Sequence, residues 1–250
     1  PSHWFEKYPR DRIQPVLEKT GDRDDIPLAA LADRPGQREL TIAKRKEIIQ
    51  AYYASVSLMD AQVGRLLDTL DRLKLTDNTV VVFISDHGYH LGHHGLWQKG
   101  DLFEGSARVP MIVSSPGMKN AGRKTKAVTE LVDLYPTIAE LCDLDQPDHL
   151  KGQSVVPALN DTSHSGKAGA MTVAWSRGGR MHKEIRGKKI KGYTVRTPRY
   201  RYTEWGGGEF GTELYDYQAD PDEFTNQTES EKHAQIVDRL KKLLKESVQR

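Results

Sequence analysis

The chain has 250 residues and carries 37 lysine and arginine residues against 35 aspartate and glutamate residues, a net charge of +2 with its nine histidines counted as neutral. No stretch approaches the roughly 20 consecutive apolar residues of a transmembrane helix, so a helical membrane span is excluded. The near-zero charge gives no reason to expect nucleic acid as a partner. The single cysteine excludes a disulfide within the chain and a zinc site built from cysteines.

The first part of the chain has the pattern of an α/β protein. Residues 1–40 are broken by prolines and glycines, which predicts an irregular surface connection. Apolar residues recur every three or four positions over 41–73 and predict a long helix with its first residue, a threonine, as N-cap. The valine-rich run 79–85 does not alternate, and with 111–113 it predicts two buried strands of a parallel sheet. A further helix is predicted over 133–144.

After about residue 160, short strands replace this pattern. The strands are predicted over residues 171–175, 193–196, 200–205 and 213–217, and an amphipathic helix over 231–248. This order indicates an antiparallel sheet covered by a helix, an α+β subdomain. We therefore expect two units, residues 1–160 and residues 161–250. The first has two strands where a sheet has about five or six, so we expect that part of its sheet lies outside this chain.

The loop after the valine-rich strand carries the groups with chemical potential. Asp86 offers a carboxylate and His87 an imidazole at a strand end, where ligands bind in open α/β sheets. Lys99 offers a cation that neutralises an anionic ester oxygen. Two ligands do not complete a calcium site, which needs about six to eight oxygens. In the alternative interpretation the aspartate is only a turn cap and the lysine is solvated. The residues alone indicate an anion-handling or metal site.

Several ordered motifs resemble those of the sulfatases, with the spacing of the iduronate-2-sulfatase-like branch. The motifs are Ser85-Asp86-His87-Gly88, His94-Gly95-Leu96-Trp97-Gln98-Lys99, Arg108-Val109-Pro110, Asp133-Leu134-Tyr135-Pro136-Thr137 and Leu214-Tyr215-Asp216. The resemblance implies an alkaline phosphatase-like α/β fold, with a sheet sandwiched by helices that is partial in this chain. It also implies a sulfuric ester hydrolase that acts on a sulfated small molecule or glycan.

The resemblance also implies a role for each matching residue. Asp86 and His87 match a pair that helps hold a calcium ion, and Lys99 matches the catalytic lysine that contacts the sulfate group. His94 matches a position with either a catalytic or a supporting role, and Trp97 a position in the substrate-binding loop. The family nucleophile is a formylglycine, whose hydrate attacks sulfur.

The chain departs from the family pattern at the nucleophile. It contains no Cys-x-Pro-Ser-Arg or Ser-x-Pro-Ser-Arg motif, and Cys142 falls in a predicted helix as a packed small residue. We therefore expect the formylglycine and further metal ligands in an N-terminal half that acts as this chain's partner. No signal peptide is visible, and the family implies a periplasmic, secreted or lysosomal protein. A phosphoesterase or phosphonate hydrolase of the same superfamily, or a non-catalytic binding module, are the alternatives.

A basic stretch over residues 167–201 holds eleven lysines and arginines against one acid, Glu184. Such a local excess attracts polyanions even in a near-neutral chain, so one hypothesis is that it draws a sulfated glycan to the loop. We favour the competing interpretation, a solvated edge-strand face on which lysines prevent sheet-to-sheet aggregation.

Overall fold

The computed structural model describes residues 2–249. The predicted long helix is observed as α2, and the Thr41 hydroxyl accepts a hydrogen bond from the Lys44 amide at 3.2 Å, which confirms the N-cap. The predicted helices over 133–144 and 231–248 are also present, each with its first turn in the tighter 3₁₀ form. The helices are α1 (Ser2–Glu6), α2 (Ile42–Arg72), α3 (Glu104–Ala107), α4 (Leu134–Leu141), α5 (Val156–Asn160) and α6 (Ala234–Val248).

The first strand pair corrects the predicted parallel sheet. Strands β1 (Val81–Ile84) and β4 (Met111–Ser114) are both present, but they pair antiparallel, with Val81 opposite Ser114. A continuous apolar run indicates burial on two faces and says nothing about the direction of the neighbouring strand. A parallel pair also needs a crossover of a dozen or more residues, usually a helix, whereas the only α-helix between β1 and β4 in the described chain is the four-residue α3.

The second sheet matches its prediction. Its order is β5 (Ala170–Trp175), β6 (Lys191–Arg196), β7 (Tyr200–Trp205) and β8 (Thr212–Asp216), with every neighbouring pair antiparallel. Helix α6 buries Leu240 and Leu244 against Val195, Tyr202 and Leu214 of one sheet face. This is the expected α+β arrangement.

The opposite face of this sheet is covered by residues from the first part of the chain. Residues 26–31 and 96–103 contribute to one core cluster with Trp205 and Tyr215. The prediction of a surface connection over 1–40 is therefore wrong for residues 29–31, which are fully buried. The segment is also not wholly irregular, because it contains helix α1. The division near residue 160 stays a prediction, and residues on either side of it share this core.

Helix α2 and strands β1 and β4 are only partly covered. Leu66 is 68% exposed and Ile112 is 60% exposed, and the predicted apolar stripe of α2 is largely accessible. Cys142 was expected to pack inside a helix but is exposed, because it lies at the end of α4 as its C-cap. No helix within residues 2–249 combines the length and apolarity that crossing a membrane requires.

Candidate functional site

The structure brings Asp86, His87 and Lys99 together beyond the end of β1. The ammonium nitrogen of Lys99 contacts Nε2 of His87, and Oδ2 of Asp86 lies 3.5 Å from the same ring nitrogen. The side chain of Asp86 is 84% exposed. A short hairpin, β2 (His90–Leu91) with β3 (Trp97–Gln98), folds the loop back and brings Lys99 to His87. One carboxylate, one imidazole and one cation therefore converge at an open surface.

The hydrogen bonds of His87 assign its tautomer. Its Nδ1 lies 2.8 Å from the carbonyl oxygen of Gly88, which only accepts, so Nδ1 carries the proton. Nε2 then holds a lone pair, and the Lys99 ammonium, which only donates, contacts that atom. The ring presents Nε2 as an acceptor, which is the form of imidazole that binds metal ions.

The loop is fixed by close backbone contacts with α3. The amide of Gly88 donates to the carbonyl of Ser106 at 2.8 Å, and the Ser106 hydroxyl accepts from the amide of Gly100 at 3.1 Å. A Cβ on Gly88 would lie 2.1 Å from the carbonyl oxygen of Gly105, so only glycine fits there. The same short helix thus holds both ends of the loop that carries the three groups.

A buried ion pair lies beneath the loop. Nε2 of His90 is 3.0 Å from Oδ1 of Asp101, and both side chains are almost fully buried. Burial by itself lowers the pKa of His90, but the nearby Asp101 carboxylate outweighs it and raises that pKa overall. The ring also presses on Gly105, where a Cβ would lie 2.8 Å from Cε1 of His90. These contacts give His90 a structural role.

His94 is buried and supports the loop. Its Nδ1 lies 3.0 Å and 3.2 Å from the two carboxylate oxygens of Asp22, and its ring stacks on Phe103 with centroids 4.4 Å apart. The backbone of His94 has a φ of 53°, and its carbonyl accepts a hydrogen bond from Arg23 at 2.8 Å. Of the two roles that the sequence left open, this geometry favours support. Asp22 lies 72 residues upstream, and no local sequence signal identifies it as the partner.

Trp97 belongs to a small apolar cluster. Its side chain is 5% exposed and packs with Ile13 and Ile49. Its carbonyl accepts a hydrogen bond from the Gln37 side chain at 3.1 Å. The predicted substrate-binding role is not favoured, because a buried indole has little surface left to offer a ligand.

A second buried network joins α3 to the C-terminal sheet. The Arg201 side chain is 2% exposed, donates to the Leu102 carbonyl at 2.9 Å and pairs with the carboxylates of Glu104 and Glu223. Burial would raise the pKa of Glu104, but the guanidinium of Arg201 lowers it overall. The Glu104 amide donates to Glu223 at 2.8 Å. Sequence reasoning missed this network because its members are about 100 residues apart.

The donor set fits part of a calcium site. No group of three or more His, Cys, Asp or Glu side chains within residues 2–249 is placed to hold a metal ion. The exposed Asp86 carboxylate is a hard oxygen donor of the kind calcium takes, and His87 supplies one nitrogen beside it. These two residues fit a shared site whose other ligands come from elsewhere.

Two family profiles match the chain. The profile described as Sulfatase matches residues 2–144, and the profile described as N-sulphoglucosamine sulphohydrolase, C-terminal, matches residues 92–250. A protein described as a sulfatase from Formosa agariphila is 31% identical, over 98% of this chain and 46% of that relative. Iduronate 2-sulfatase of Mus musculus is 30% identical, over 79% of this chain and 47% of the relative. The chain spans about half the length of these curated relatives.

Solved structures give the fold. One, described as a complex with its substrate D-glucosamine-2-N,6-O-disulfate, is 27% identical with a TM-score of 0.71, over 82% of this chain and 41% of that chain. A phosphonate monoester hydrolase from Silicibacter pomeroyi has a TM-score of 0.85 at 21% identity, over 100% of this chain and 53% of that chain, a likeness of fold alone. The predicted fold class, an alkaline phosphatase-like α/β fold with an antiparallel C-terminal sheet and helix, is confirmed.

Proposed function

Because the chain belongs to the sulfatase family, we propose that it forms part of an enzyme that hydrolyses the sulfate ester of a carbohydrate. The observation that carries this proposal is the convergence of Asp86, His87 and Lys99 at one open surface. An exposed carboxylate suits a divalent cation, and a lysine beside it suits an anionic ester. A sulfate ester bound to both would have its negative charge neutralised from two sides.

Asp86 and His87 are the proposed metal ligands of this chain. A bound calcium ion would supply electrophilic stabilisation of negative charge in the sulfate ester. The Asp86 carboxylate accepts a hydrogen bond from the His87 amide at 3.0 Å, which orients its oxygens. His87 offers the Nε2 lone pair, which faces the Lys99 ammonium in this structure and would bind the metal once that ammonium turns to the sulfate ester.

Lys99 is the proposed sulfate-binding and catalytic residue. Its ammonium can donate three hydrogen bonds, of which the contact with His87 uses one. The remaining donors can bind sulfate oxygens, and the charge favours the more negative transition state. We assign His94 to positioning this loop through Asp22, and Trp97 to packing beneath it.

The remaining parts of the reaction are assigned to a segment beyond these 250 residues. The chain contains no formylglycine motif, so we propose that an N-terminal half contributes the nucleophile and further calcium ligands. A relative from Bacteroides thetaiotaomicron is described as an N-acetylglucosamine-6-O-sulfatase and is 29% identical, which supports a sulfated carbohydrate as substrate. A periplasmic, secreted or lysosomal location follows from the family resemblance.

Turnover by the full-length protein tests the proposal. We expect release of 4-nitrophenol from 4-nitrophenyl sulfate in the presence of calcium, and slower release from 4-nitrophenyl phosphate. Lys99→Ala should lower kcat/KM by about 100- to 1,000-fold, the range for losing one electrostatic contact to the reacting group. Asp86→Asn should weaken calcium binding measured by calorimetry, and excess calcium should restore part of the activity.

The control variant is Lys119→Ala, which removes an exposed lysine from a distant loop. An equal loss of activity in Lys119→Ala and Lys99→Ala would contradict the role of Lys99. Faster turnover of the phosphate than of the sulfate would favour the phosphoesterase alternative. No turnover of either ester would favour a non-catalytic binding module.

A further inference from the structure

The backbone on either side of Arg177 is held by close contacts with the segment 28–29. The hydroxyl of Ser176 donates to the carbonyl of Ala29 at 2.7 Å. On the other side, a Cβ on Gly178 would lie 2.0 Å from the carbonyl oxygen of Leu28, so the chain approaches that carbonyl too closely for any larger residue. The backbone position of Arg177 is therefore fixed by its two neighbours, Ser176 and Gly178.

The side chain of Arg177 lies across the residue that follows Lys99. A Cβ on Gly100 would be 2.7 Å from Nε and 2.9 Å from Cζ of Arg177, so the guanidinium packs on the Gly100 backbone. Gly100 has a φ of 109°, which also favours glycine there. The arrangement places a second cation against the residue that follows the lysine that we assign to the sulfate group.

This guanidinium has no counter-ion among residues 2–249. The arginines at the C-terminal end of the basic stretch are neutralised, since Arg196 and Arg201 pair with Glu104 and Arg199 pairs with Asp216. No carboxylate of the described chain pairs with Arg177 in this way. An arginine held in place by packing, with its N–H donors unpaired, is arranged to receive an anion from outside.

The charge around Arg177 points the same way. Seven basic residues without a carboxylate partner in the described structure fall within 177–191, against the single acid Glu184. They are Arg177, Arg180, Lys183, Arg186, Lys188, Lys189 and Lys191. Lys188 and Lys189 lie in the loop before β6 and not on a strand, so protection of a sheet edge does not explain them. The unpaired positive charge of the basic stretch is thus concentrated in the segment that Arg177 begins.

We propose that Arg177 is a second anion-binding residue beside Lys99, which selects substrates with another anionic group in addition to the sulfate that is cleaved. This inference rests on the proposed function, because it takes Lys99 as the ligand of the scissile sulfate. The planar guanidinium binds a carboxylate or a sulfate through paired hydrogen bonds, so the second group is either a uronate carboxylate or another sulfate. Lys99 binds one anion and Arg177 the next one along the sugar.

Substrate pairs that differ by one anionic group test this role in the full-length protein. The single-anion substrates are 4-nitrophenyl sulfate and glucosamine 6-sulfate, and the double-anion substrates are a disulfated glucosamine and a sulfated uronate. Arg177→Gln should lower kcat/KM for the double-anion substrates by roughly 10- to 100-fold, mainly through KM, because a charge-assisted pair is lost. For the single-anion substrates we expect a loss of about threefold or less, the size of a general charge effect. Arg177→Lys should recover part of the difference.

The matched control is Arg180→Gln, which removes the same charge from an exposed position three residues further on. It should change both substrate classes equally and by a small factor. An Arg177→Gln variant that loses the same factor on both classes, or none on either, would overturn the proposal. The larger effect on the disulfated sugar or on the uronate identifies which anion is bound.

Measurements of sugar binding distinguish a failure of this inference from a failure of the proposed function. If the wild-type protein releases sulfate from none of these compounds, the proposed function fails, and calorimetric titration with the mono- and disulfated glucosamines then decides the role of Arg177. Tighter binding of the disulfated sugar in the wild-type protein, lost in Arg177→Gln, would sustain the second anion position. Equal affinities for the two sugars in the wild-type protein would refute it.

Discussion

A buried glutamate in the C-terminal sheet should make the stability of the protein depend on pH. The side chain of Glu213 is fully enclosed, where it accepts hydrogen bonds from the indole of Trp205 at 2.8 Å and from the hydroxyl of Tyr215 at 3.1 Å. Burial raises its pKa from 4.5 to about 7, since these two hydrogen bonds offset only part of the desolvation of the charged form. The nearby carboxylate of Glu223 raises the pKa further, and Arg201 lowers it.

The sign and size of the effect follow from this shift. The folded protein holds the proton of Glu213 more tightly than the unfolded chain does, so its contribution to stability is full below about pH 4.5 and is lost as the pH rises through about 7. A shift of this size corresponds to about 3 kcal/mol, at about 1.4 kcal/mol for each pKa unit. Glu213→Gln removes the titrating group and keeps its shape. The variant should therefore be more stable than the wild type by up to about 3 kcal/mol at alkaline pH.

The measurement is the free energy of unfolding by urea, followed by tryptophan fluorescence between about pH 5 and about pH 8. The pKa of His90 is also raised, so its contribution to stability is likewise lost as the pH increases. The quantity to compare is therefore the difference in unfolding free energy between wild type and variant at each pH. Glu209→Gln, which changes an exposed glutamate close to the same sheet, should follow the wild-type curve. If the curves of the wild type and Glu213→Gln run parallel over this range, the carboxyl does not titrate as argued.

Two further predictions concern the anchors of the loop. Gly88→Ala should destabilise the protein by about 2 kcal/mol and raise KM, because the new methyl group meets the Gly105 carbonyl. The control Gly64→Ala, in open space within α2, should stabilise the protein by about 0.5–1 kcal/mol. Equal effects of the two variants on urea unfolding would contradict the clash. Arg201→Met should cost about 3–5 kcal/mol because it leaves buried carboxylates unpaired. Arg199→Met, at a half-exposed ion pair, should cost much less. An equally small loss in both variants would show that the buried carboxylates do not need the Arg201 guanidinium.

Hydrophobic periodicity was sufficient to predict most of the elements. The three-and-four spacing gave α2 to within one residue at each end, and strand β7 has the predicted bounds, because local propensity and the apolar pattern agree there. The direction of the β1–β4 pair depends on how the chain returns between the strands, which the apolar runs do not encode. Burial of residues 29–31 was missed for a similar reason, since their packing partners lie far away in sequence.

The candidate site could be predicted in part. Asp86, His87 and Lys99 lie within one loop at a strand end, so general rules of α/β proteins and the family motifs both point to them. The groups that fix this loop could not be found in the same way. His94 depends on Asp22, and residue 177 reaches Gly100 from the C-terminal part of the chain. Neither pairing has a periodic or motif signal.

The two halves of the site differ in how firmly the chain itself holds them. The Lys99 loop is fixed from below by the buried pairs of His90 with Asp101 and of His94 with Asp22, and its continuation α3 is tied to the C-terminal sheet by Arg201. A loop whose backbone is fixed in advance loses little freedom when its lysine binds an anion, which favours strong electrostatic stabilisation. The Asp86 carboxylate instead stands exposed at the end of a two-stranded sheet, open to an ion and to ligands from another segment. In the proposed function, the chain's own packing thus pre-organises the loop assigned to sulfate, while the metal site needs the additional ligands that complete it.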